Sequence, residues 1–403
     1  MAAVRDQLEV GVLYWPAAVG PYLWHEFDRV EVERDLGAVA ARRIPLVRVL
    51  LSWDAFMPTD RAPSPRRLRD LEILLNAARE LGLRVVPTLF AQSIGDCVLL
   101  PPYAIDRRAP RRGVRCVTDA RVVAGGPKDI YADPLMLEVQ VRWLDALLAA
   151  FAGHPAVDSW DLGYDPATAI RPRRIAEMAA WASLLAERVH AQGERCRLTL
   201  GQGDVTWGRG VRPARMAEHV DCLGLALQPQ RLALPGEPLD PGRAVFVTQL
   251  AQALAGPAVP LAVEVGIASG ALTAHDRDNG ADLASPDDAR RCADRLVQSL
   301  QDVGVAGLHT VAWSDWGERL TAAPPADRLP WWSHLGIVAV TGVSKPIADA
   351  WELLAGRERA VTAASPYPAA LDVDSYYANL PESLLDLRAS WKRDDGDVPA
   401  ILD

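Results

Sequence analysis

The sequence predicts an α/β fold, a (β/α)8 TIM barrel in which eight parallel strands alternate with helices. Three observations support this prediction. Short apolar segments alternate with helical segments from about residue 8 to about residue 355. The apolar segments are nearly continuous, which is typical of strands buried on both faces of a parallel sheet. No GxGxxG or GxxxxGK[ST] motif follows any of them, which disfavours the open nucleotide-binding sheets.

The first four predicted strands are LEVGVLYWP, PLVRVLLSW, LRVVPTLF and AVDSWDLGYDP. The helix that precedes the third strand is clearly bounded. Ser64 is a residue type that caps helices, Pro65 fits a first helical turn, and Gly82 is typical of a helix end. The long segment PLMLEVQVRWLDALLAAFAGH predicts the helix before the fourth strand.

The last four predicted strands are RCRLTLGQGD, DCLGLALQPQ, VPLAVEVGIAS and VAGLHTVAWSDWGE. The helix before the eighth strand begins at Ser285, with Asp288 three residues later, and ends at Gly304, a pattern typical of capped helices. We therefore assign residues 1–355 to the barrel. The remaining residues, 356–403, are predicted to form an extension that packs on the barrel within the same domain.

One connection, residues 91–133, is much longer than the others. A loop of this length is uncommon in a compact domain unless it has a function. Because it follows the third strand, we expect it to lie over the C-terminal face of the barrel, where barrel enzymes keep their sites. It contains a local group of arginines, which we interpret as a solvated loop: Arg107, Arg108, Arg111, Arg112 and Arg115.

Composition excludes several classes of function. The 403 residues carry a net charge of −9, so general nucleic-acid binding is disfavoured. The N-terminal MAAVRDQLEV has no apolar segment typical of a secretory signal, and no apolar run is long enough to span a membrane. A cytoplasmic location is therefore expected, although a secreted protein without its leader would look similar.

The five cysteines and seven histidines show no ligand spacing, so we expect no metal and no cofactor. The oligomeric state is not predicted by the sequence.

The carboxyl ends of the predicted strands carry most of the residues suited to chemistry. Since these ends meet at one face of a barrel, we expect the side chains to surround one mouth. Tryptophan rings and carboxylates together suit a saccharide, because pyranose faces stack on indoles and carboxylates act on the acetal. The residues at these ends are Tyr14, Trp15, Arg48, Trp53, Phe90, Gln92, Tyr164, Asp165, Gln202, Asp204, Trp207, Gln228, Glu264, Trp313, Asp315 and Trp316.

Motifs along nearly the whole chain carry a resemblance to a known enzyme clan. They are GVLYWP, LVRVLLSWDAFMP, DIYADP, HPAVDSWDLG, PLAVEVG, GLHTVAWSDWGE, HLGIVAVTGVSKP and DSYYANLPESLLDL. In this order the sequence resembles the retaining β-glycosidases with a (β/α)8 barrel, which include cellulases, endo-β-mannanases and β-galactosidases. It is most similar to the mannanase-like branch.

The resemblance implies a glycoside hydrolase that acts on a β-linked oligosaccharide or polysaccharide. It identifies Glu264 as the nucleophile, Asp165 as the residue at the acid/base position and Arg48 as the site arginine. We expect the other saccharide-binding residues to be Tyr164, Trp207, Gln228, Trp313 and Asp315.

The sequence also departs from the pattern of this clan. The Asn-Glu pair expected after strand four is replaced by Tyr164 and Asp165, and the His and Tyr expected on strand six by Ala226 and Gln228. The nucleophile is therefore expected to lack its usual tyrosine partner on strand six. Asp165 remains open to three interpretations: a general acid, a cap for the segment after Pro166, or a relic.

Aspartate is a poor substitute for glutamate as the general acid. Its side chain is shorter by one bond of about 1.5 Å. Retaining glycosidases place their two carboxyl groups roughly 5–5.5 Å apart and inverting ones roughly 6.5–9.5 Å. A misplacement of about 1 Å can cost about a hundredfold in rate. The sequence thus predicts a slow hydrolase or one with an altered substrate pose. The alternatives are a barrel without hydrolysis that binds a saccharide or a protein partner, and a transglycosidase with a dry site under residues 91–133.

Overall fold

The computed structural model describes residues 7–208, 211–256, 258–272, 276, 280–354, 356–357 and 371–393. Among these residues eight parallel strands pair in chain order and the first pairs with the last, which closes a barrel. The strands β1 to β8 are Glu9–Leu13, Leu46–Leu50, Arg84–Thr88, Trp160–Tyr164, Cys196–Gly201, Cys222–Leu227, Leu261–Val265 and Gly307–Thr310. The predicted (β/α)8 barrel is confirmed.

A helix follows each strand, and two more belong to the C-terminal segment. Helices α1 to α10 are Arg29–Ala41, Pro65–Glu80, Pro134–Phe151, Ile175–Ala191, Pro213–Ala217, Pro241–Ala255, Pro286–Asp302, Ala348–Glu352, Val373–Ala378 and Glu382–Arg393. The predicted caps are present. The Ser64 hydroxyl accepts from the Arg67 amide at 3.4 Å, and Ser285 accepts from the Asp288 amide at 3.1 Å. No helix among the described residues is long and apolar enough to cross a membrane.

Several shorter helices shape the ends of the strands. Short α-helices span Trp53–Phe56, Pro166–Ala169 and Gln202–Thr206. Turns of 3-10 helix span Gly20–Tyr22, Pro102–Ala104, Pro229–Arg231, Glu318–Leu320 and Pro330–His334. Most of these follow a β-strand directly, so they form the floor and rim of the C-terminal face.

The long connection after β3 has its own secondary structure. Strands Ser93–Ile94, Cys97–Leu99, Arg115–Thr118 and Arg121–Val123 form one small sheet, and Ile105–Asp106 pairs with Gly126–Pro127. The interpretation of its arginines as solvated is wrong for Arg115. That side chain is buried, because it forms ion pairs with Asp96 and Asp327 at 2.7 and 2.6 Å.

The C-terminal segment packs on the barrel beside β5 and β6. The hydroxyls of Tyr376 and Tyr377 donate to the carbonyls of Val205 and Asp204 at 2.7 and 2.9 Å. These bonds brace the short helix that follows β5. The division into residues 1–355 and an extension of 356–403 stays a prediction, since 358–370 and 394–403 lie outside the described residues.

A buried network of charges fills the N-terminal end of the barrel. Arg197 on β5 donates to both carboxylate oxygens of Glu9 on β1, at 2.6 and 2.7 Å, and to Asp158 at 2.9 Å. His309 on β8 lies 3.0 Å from the same Glu9 carboxylate. Burial alone would raise the pKa of Glu9, but Arg197 and His309 outweigh it and hold that pKa well below its usual value. The network links β1, β5 and β8 across the barrel axis.

We predict that Arg197→Met lowers the free energy of unfolding by about 3–5 kcal/mol, because it removes the fully buried cation that pairs with both Glu9 and Asp158. Arg195→Met is the matched control. Arg195 approaches the same Asp158 at 3.6 Å, but its side chain is 31% exposed, so its loss should cost less than about 1 kcal/mol. Urea unfolding of both variants measures the difference, and equal losses would contradict the role given to the network.

Candidate active site

A bulge in β4 determines which side chains enter the barrel. Asp161 pairs with Arg197, but Tyr164 pairs with Thr199, so three residues of β4 match two of β5. In a regular strand, residues three apart point to opposite faces of the sheet. The extra residue in β4 shifts the alternation of side chains by one position, and both Asp161 and Tyr164 therefore face the barrel interior.

Arg48 is the central charge of the barrel interior. Its Nη1 donates to Asp161 at 2.5 Å and to Thr88 at 3.0 Å, while its Nε lies 3.0 Å from a carboxylate oxygen of Glu264. Burial opposes the charge of Arg48, but Asp161 and Glu264 outweigh it and raise the pKa of the guanidinium. Arg48 thus forms ion pairs with two buried carboxylates at once.

Glu264 ends β7 beneath a tyrosine ring. The residue is 1% exposed, and each of its carboxylate oxygens is buried. Tyr164 is 2% exposed, its ring lies 5.9 Å from the Arg48 guanidinium carbon, and its buried hydroxyl faces Glu264. Burial and the neighbouring Glu264 carboxylate raise the pKa of Tyr164 well above its usual value, so the phenol stays protonated. A tyrosine from β4, rather than one from strand six, thus lies next to Glu264.

Asp165 follows directly but points elsewhere. Its backbone adopts the left-handed conformation, with φ 47° and ψ 48°, which aspartate tolerates better than most residues. Its carboxylate accepts a hydrogen bond from the Thr168 hydroxyl at 2.7 Å. It also lies directly over Gly201, where an added Cβ would approach it to 2.0 Å. An alanine at position 201 would therefore displace the Asp165 carboxylate from its present position.

The axial mouth of the barrel is closed by aromatic packing. Trp15 meets Trp316 and Trp332 edge to face, with ring centroids 5.5 and 6.1 Å apart. We call the buried apolar group that contains them the mouth cluster. It also includes Leu13, Leu50, Ile94, Tyr164, Ala268, Val311 and Leu335. Residues of the connections after β3 and after β8 therefore lie where a saccharide would enter an open barrel.

A pocket of about 440 Å³ lies to one side of the mouth cluster. This volume is in the range of small-molecule sites. Among its lining residues, Trp207 is 56% exposed, and the Trp331 ring lies 5.0 Å from the Arg231 guanidinium carbon. The lining residues are Ser93, Gly95, Asp96, Gly113, Tyr164, Asp165, Thr168, Gln202, Gly203, Thr206, Trp207, Ala226, Gln228, Arg231, Ala233, Leu329, Trp331 and Trp332.

The structure brings together half of the site residues predicted from the sequence. Four of them line the pocket: Tyr164, Asp165, Trp207 and Gln228. Glu264 and Arg48 lie behind Tyr164 in the barrel interior. Trp313 is buried in the main core and lies 5.7 Å from the Arg42 guanidinium. Asp315 is held by the Lys345 ammonium at 3.0 Å and by the Gly336 amide at 2.9 Å. The functional roles of all eight residues stay predictions.

Sequence reasoning missed two prominent residues of the pocket. Trp331 and Arg231 come from connections after β8 and β6 that carry no strand-end signal, so a reading based on strand ends passes over them. The paired tryptophans of LPWWSH were the available signal, since indole rings suit saccharide binding.

Comparison with solved structures finds glycosidases of the same fold. A variant of a GH5_18 protein from Streptomyces cattleya, in complex with Manβ1-4GlcNAc, has a TM-score of 0.73 at 20% identity, covering 97% of this chain and 94% of that chain. A GH5_18 protein from Bifidobacterium longum subsp. infantis has 0.70 at 19% identity, with 89% and 81% covered. An exo-β-1,4-mannosidase from Opitutaceae bacterium strain TAV5 has 0.70 at 19% identity, with 86% covered, and this chain spans only 59% of its length.

No family model matches the sequence, and no curated protein sequence matches it. At identities of 19–20% the likeness to the solved structures establishes a shared fold. The resemblance to (β/α)8 glycoside hydrolases, and to a mannanase-like branch of them, is confirmed at that level.

One group of residues outside the pocket has the composition of a cation site. Among the residues that the structure describes, His25, Asp54 and Asp119 bring their ligand atoms within 4.8 Å of one another. Asp54 is already occupied, because it accepts from the Asp119 amide and lies against His25 Nε2, both at 3.0 Å. These contacts tie the hairpin of the long connection to the loops after β1 and β2. The expectation of no metal stays a prediction.

We predict that His25 stabilises the fold most at low pH. Burial opposes its protonation, but the hydrogen bond and charge of Asp54 outweigh burial and raise the pKa of His25. A raised pKa in the folded state means that the stabilisation is complete below the unfolded value of about 6.5 and is lost as the pH rises through the folded value. His25→Gln should therefore cost more stability at about pH 5.5 than at about pH 8.5.

Urea unfolding at the two pH values measures this difference. Asp119→Asn is the control, because Asp119 is 80% exposed and its charge is screened by water. A cost for His25→Gln that is independent of pH would contradict the assignment.

Proposed function

We propose that the protein is a glycoside hydrolase-like barrel that binds a β-linked saccharide in the pocket beside the mouth cluster. In this proposal Glu264 is the nucleophile, Asp165 is the general acid, and cleavage is slow because access to Glu264 limits it. The observation that carries the proposal is a carboxylate, Asp165, in a pocket at the C-terminal face of the barrel whose lining also includes two tryptophans, Trp207 and Trp331.

The lining of the pocket suits a neutral sugar. Trp207 offers an exposed apolar ring, and Gln228 offers a side-chain amide to hydroxyls. The Gln202 side-chain oxygen accepts a hydrogen bond from the backbone amide of Gln228 at 2.9 Å, and this bond fixes the two residues relative to each other. Sites of this kind combine apolar walls with a few well-placed polar groups.

The substrate class follows from the fold and its neighbours. The solved structures of this fold include an exo-β-1,4-mannosidase and a complex with Manβ1-4GlcNAc. We therefore propose β-1,4-linked mannosides as the first saccharides to test.

Retaining hydrolysis places two demands on this geometry. Asp165 must protonate the leaving oxygen while Glu264 attacks the anomeric carbon from the other side. The Asp165 carboxylate borders the pocket, whereas both Glu264 oxygens are buried behind Tyr164. Cleavage then requires Tyr164 to move, and this requirement is the physical reason for the slow rate.

The burial of Glu264 also favours a second function. With both carboxylate oxygens covered and Nε of Arg48 at 3.0 Å, Glu264 has a sufficient structural role as an ion pair. A barrel that binds a saccharide without cleaving it fits this observation. Turnover and binding therefore have to be measured separately.

We predict that Trp207→Ala weakens the binding of a β-1,4-mannoside about tenfold, which is ~1.4 kcal/mol, because a sugar loses its stacking platform. Calorimetric titration with mannobiose and cellobiose measures the change. Leu353→Ala, another exposed apolar residue outside the pocket lining, is the control and should bind as the unmodified protein does. If neither disaccharide binds the unmodified protein, saccharide binding at this pocket is wrong.

We predict that the protein releases aryl groups slowly from aryl β-mannosides and that Glu264→Gln abolishes this release. Asp165→Asn should lower the rate by about 10²–10⁴, the usual contribution of a general acid. Glu318→Gln, which removes a carboxylate near the mouth but outside the pocket lining, should leave the rate unchanged. Equal background release by the unmodified protein and Glu264→Gln, together with saccharide binding, would establish the second function.

A further inference from the structure

Tyr164 borders both the pocket and the buried Glu264 carboxylate. The residue borders the pocket, yet its hydroxyl oxygen is buried and faces the Glu264 carboxylate. The ring therefore lies between the space of the pocket and the carboxylate.

Next to Tyr164, the side chain between the pocket and Glu264 is small. Ala226 on β6 is in direct register with Glu264 on β7, and Ala226 also borders the pocket. A methyl group cannot screen a neighbouring carboxylate as a phenol ring does. The burial of Glu264 on the pocket side thus depends mainly on the Tyr164 ring.

The ring is also held firmly in place. The β4 bulge turns it inward, the Tyr164 amide donates to the Ala91 carbonyl at 3.2 Å, and the Arg48 guanidinium carbon lies 5.9 Å from the ring centroid. The ring is part of the mouth cluster, so its movement would disturb the packing of Trp15 and its neighbours. Thermal fluctuations that expose Glu264 are therefore expected to be rare.

We propose that Tyr164 is the specificity-determining residue that sets the depth of the saccharide pocket. With the ring in place, a sugar lies above it against Asp165 and the tryptophans. With the ring absent, the pocket extends past Ala226 to Glu264 and gains space for one more sugar ring. This inference rests on the proposed function for the nature of the ligand, but the barrier itself is a property of the empty protein.

The barrier can be tested without a saccharide. A water-soluble carbodiimide with a small amine converts accessible carboxylates to amides, and peptide mass spectrometry gives the rate at each position. Glu318 is an internal reference at the mouth. We expect Glu264 to react much more slowly than Glu318 in the unmodified protein, and about tenfold faster in Tyr164→Ala than in the unmodified protein, because the modification of a buried group follows its exposure.

Two further variants separate the ring from other causes. Tyr164→Phe keeps the ring and removes only the hydroxyl, so Glu264 should stay protected. Tyr164→Leu keeps most of the apolar packing but removes the ring that separates the pocket from Glu264. It replaces Tyr164→Ala if circular dichroism shows that Tyr164→Ala is unfolded. Two results would overturn the proposal. The first is that Glu264 stays protected in every variant without the ring, Tyr164→Ala or Tyr164→Leu, that folds. The second is that Glu264 and Glu318 react equally fast in the unmodified protein.

The saccharide measurements then test the depth. Tyr164→Ala should gain affinity for mannotriose relative to mannobiose, whereas Tyr164→Phe should keep the ratio of the unmodified protein. Faster carbodiimide labelling without any saccharide binding would reject the proposed function and keep the barrier. Saccharide binding with no change in labelling or in the ratio would keep the function and reject the role of Tyr164.

Discussion

The arrangement of the barrel interior depends on Arg48. This single buried guanidinium neutralises Asp161 at 2.5 Å and Glu264 at 3.0 Å, and it also donates to Thr88. Two carboxylates in such surroundings would be very costly without a cation, and the loss of one partner from a buried ion pair commonly costs about 3–5 kcal/mol. Glu264 therefore has a buried positive partner in the interior without any contact with substrate. The same interaction that would orient a nucleophile is sufficient to explain why the glutamate is retained.

The bulge in β4 determines which side chain covers this charged centre. Because of the extra residue, both Asp161 and Tyr164 point inward, so that one strand supplies the partner of Arg48 and the ring above Glu264. Asp165 then turns away in a left-handed conformation over Gly201. The two residues of WDLGYDP that depart from the clan pattern thus act together: Tyr164 fills the space next to Glu264, and Asp165 places a carboxylate at the border of the pocket. The mouth cluster completes the closure, and the space left for a ligand lies off the barrel axis.

Strand and helix patterns predicted the barrel, because buried parallel strands and capped helices leave a local signal in the sequence. The ends of the strands likewise predicted Tyr164, Asp165, Trp207 and Gln228, which line one pocket. The sequence could not predict that Glu264 lies behind Tyr164, since a one-residue bulge reverses the direction of side chains without a compositional mark. Trp331 and Arg231 were missed because loops bring them to the pocket from distant positions. The burial of Arg115 was missed for a related reason, as its partners Asp96 and Asp327 are far apart in the chain.

A crystal structure of the protein with a bound β-1,4-linked manno-oligosaccharide tests the central claim most directly. The account predicts a sugar ring between Trp207 and Trp331, a hydroxyl or glycosidic oxygen near Asp165, and the Tyr164 ring between the saccharide and Glu264. A sugar ring in direct contact with Glu264 while Tyr164 keeps its present position would contradict the account. So would a saccharide bound only at another surface of the barrel, with the pocket left empty.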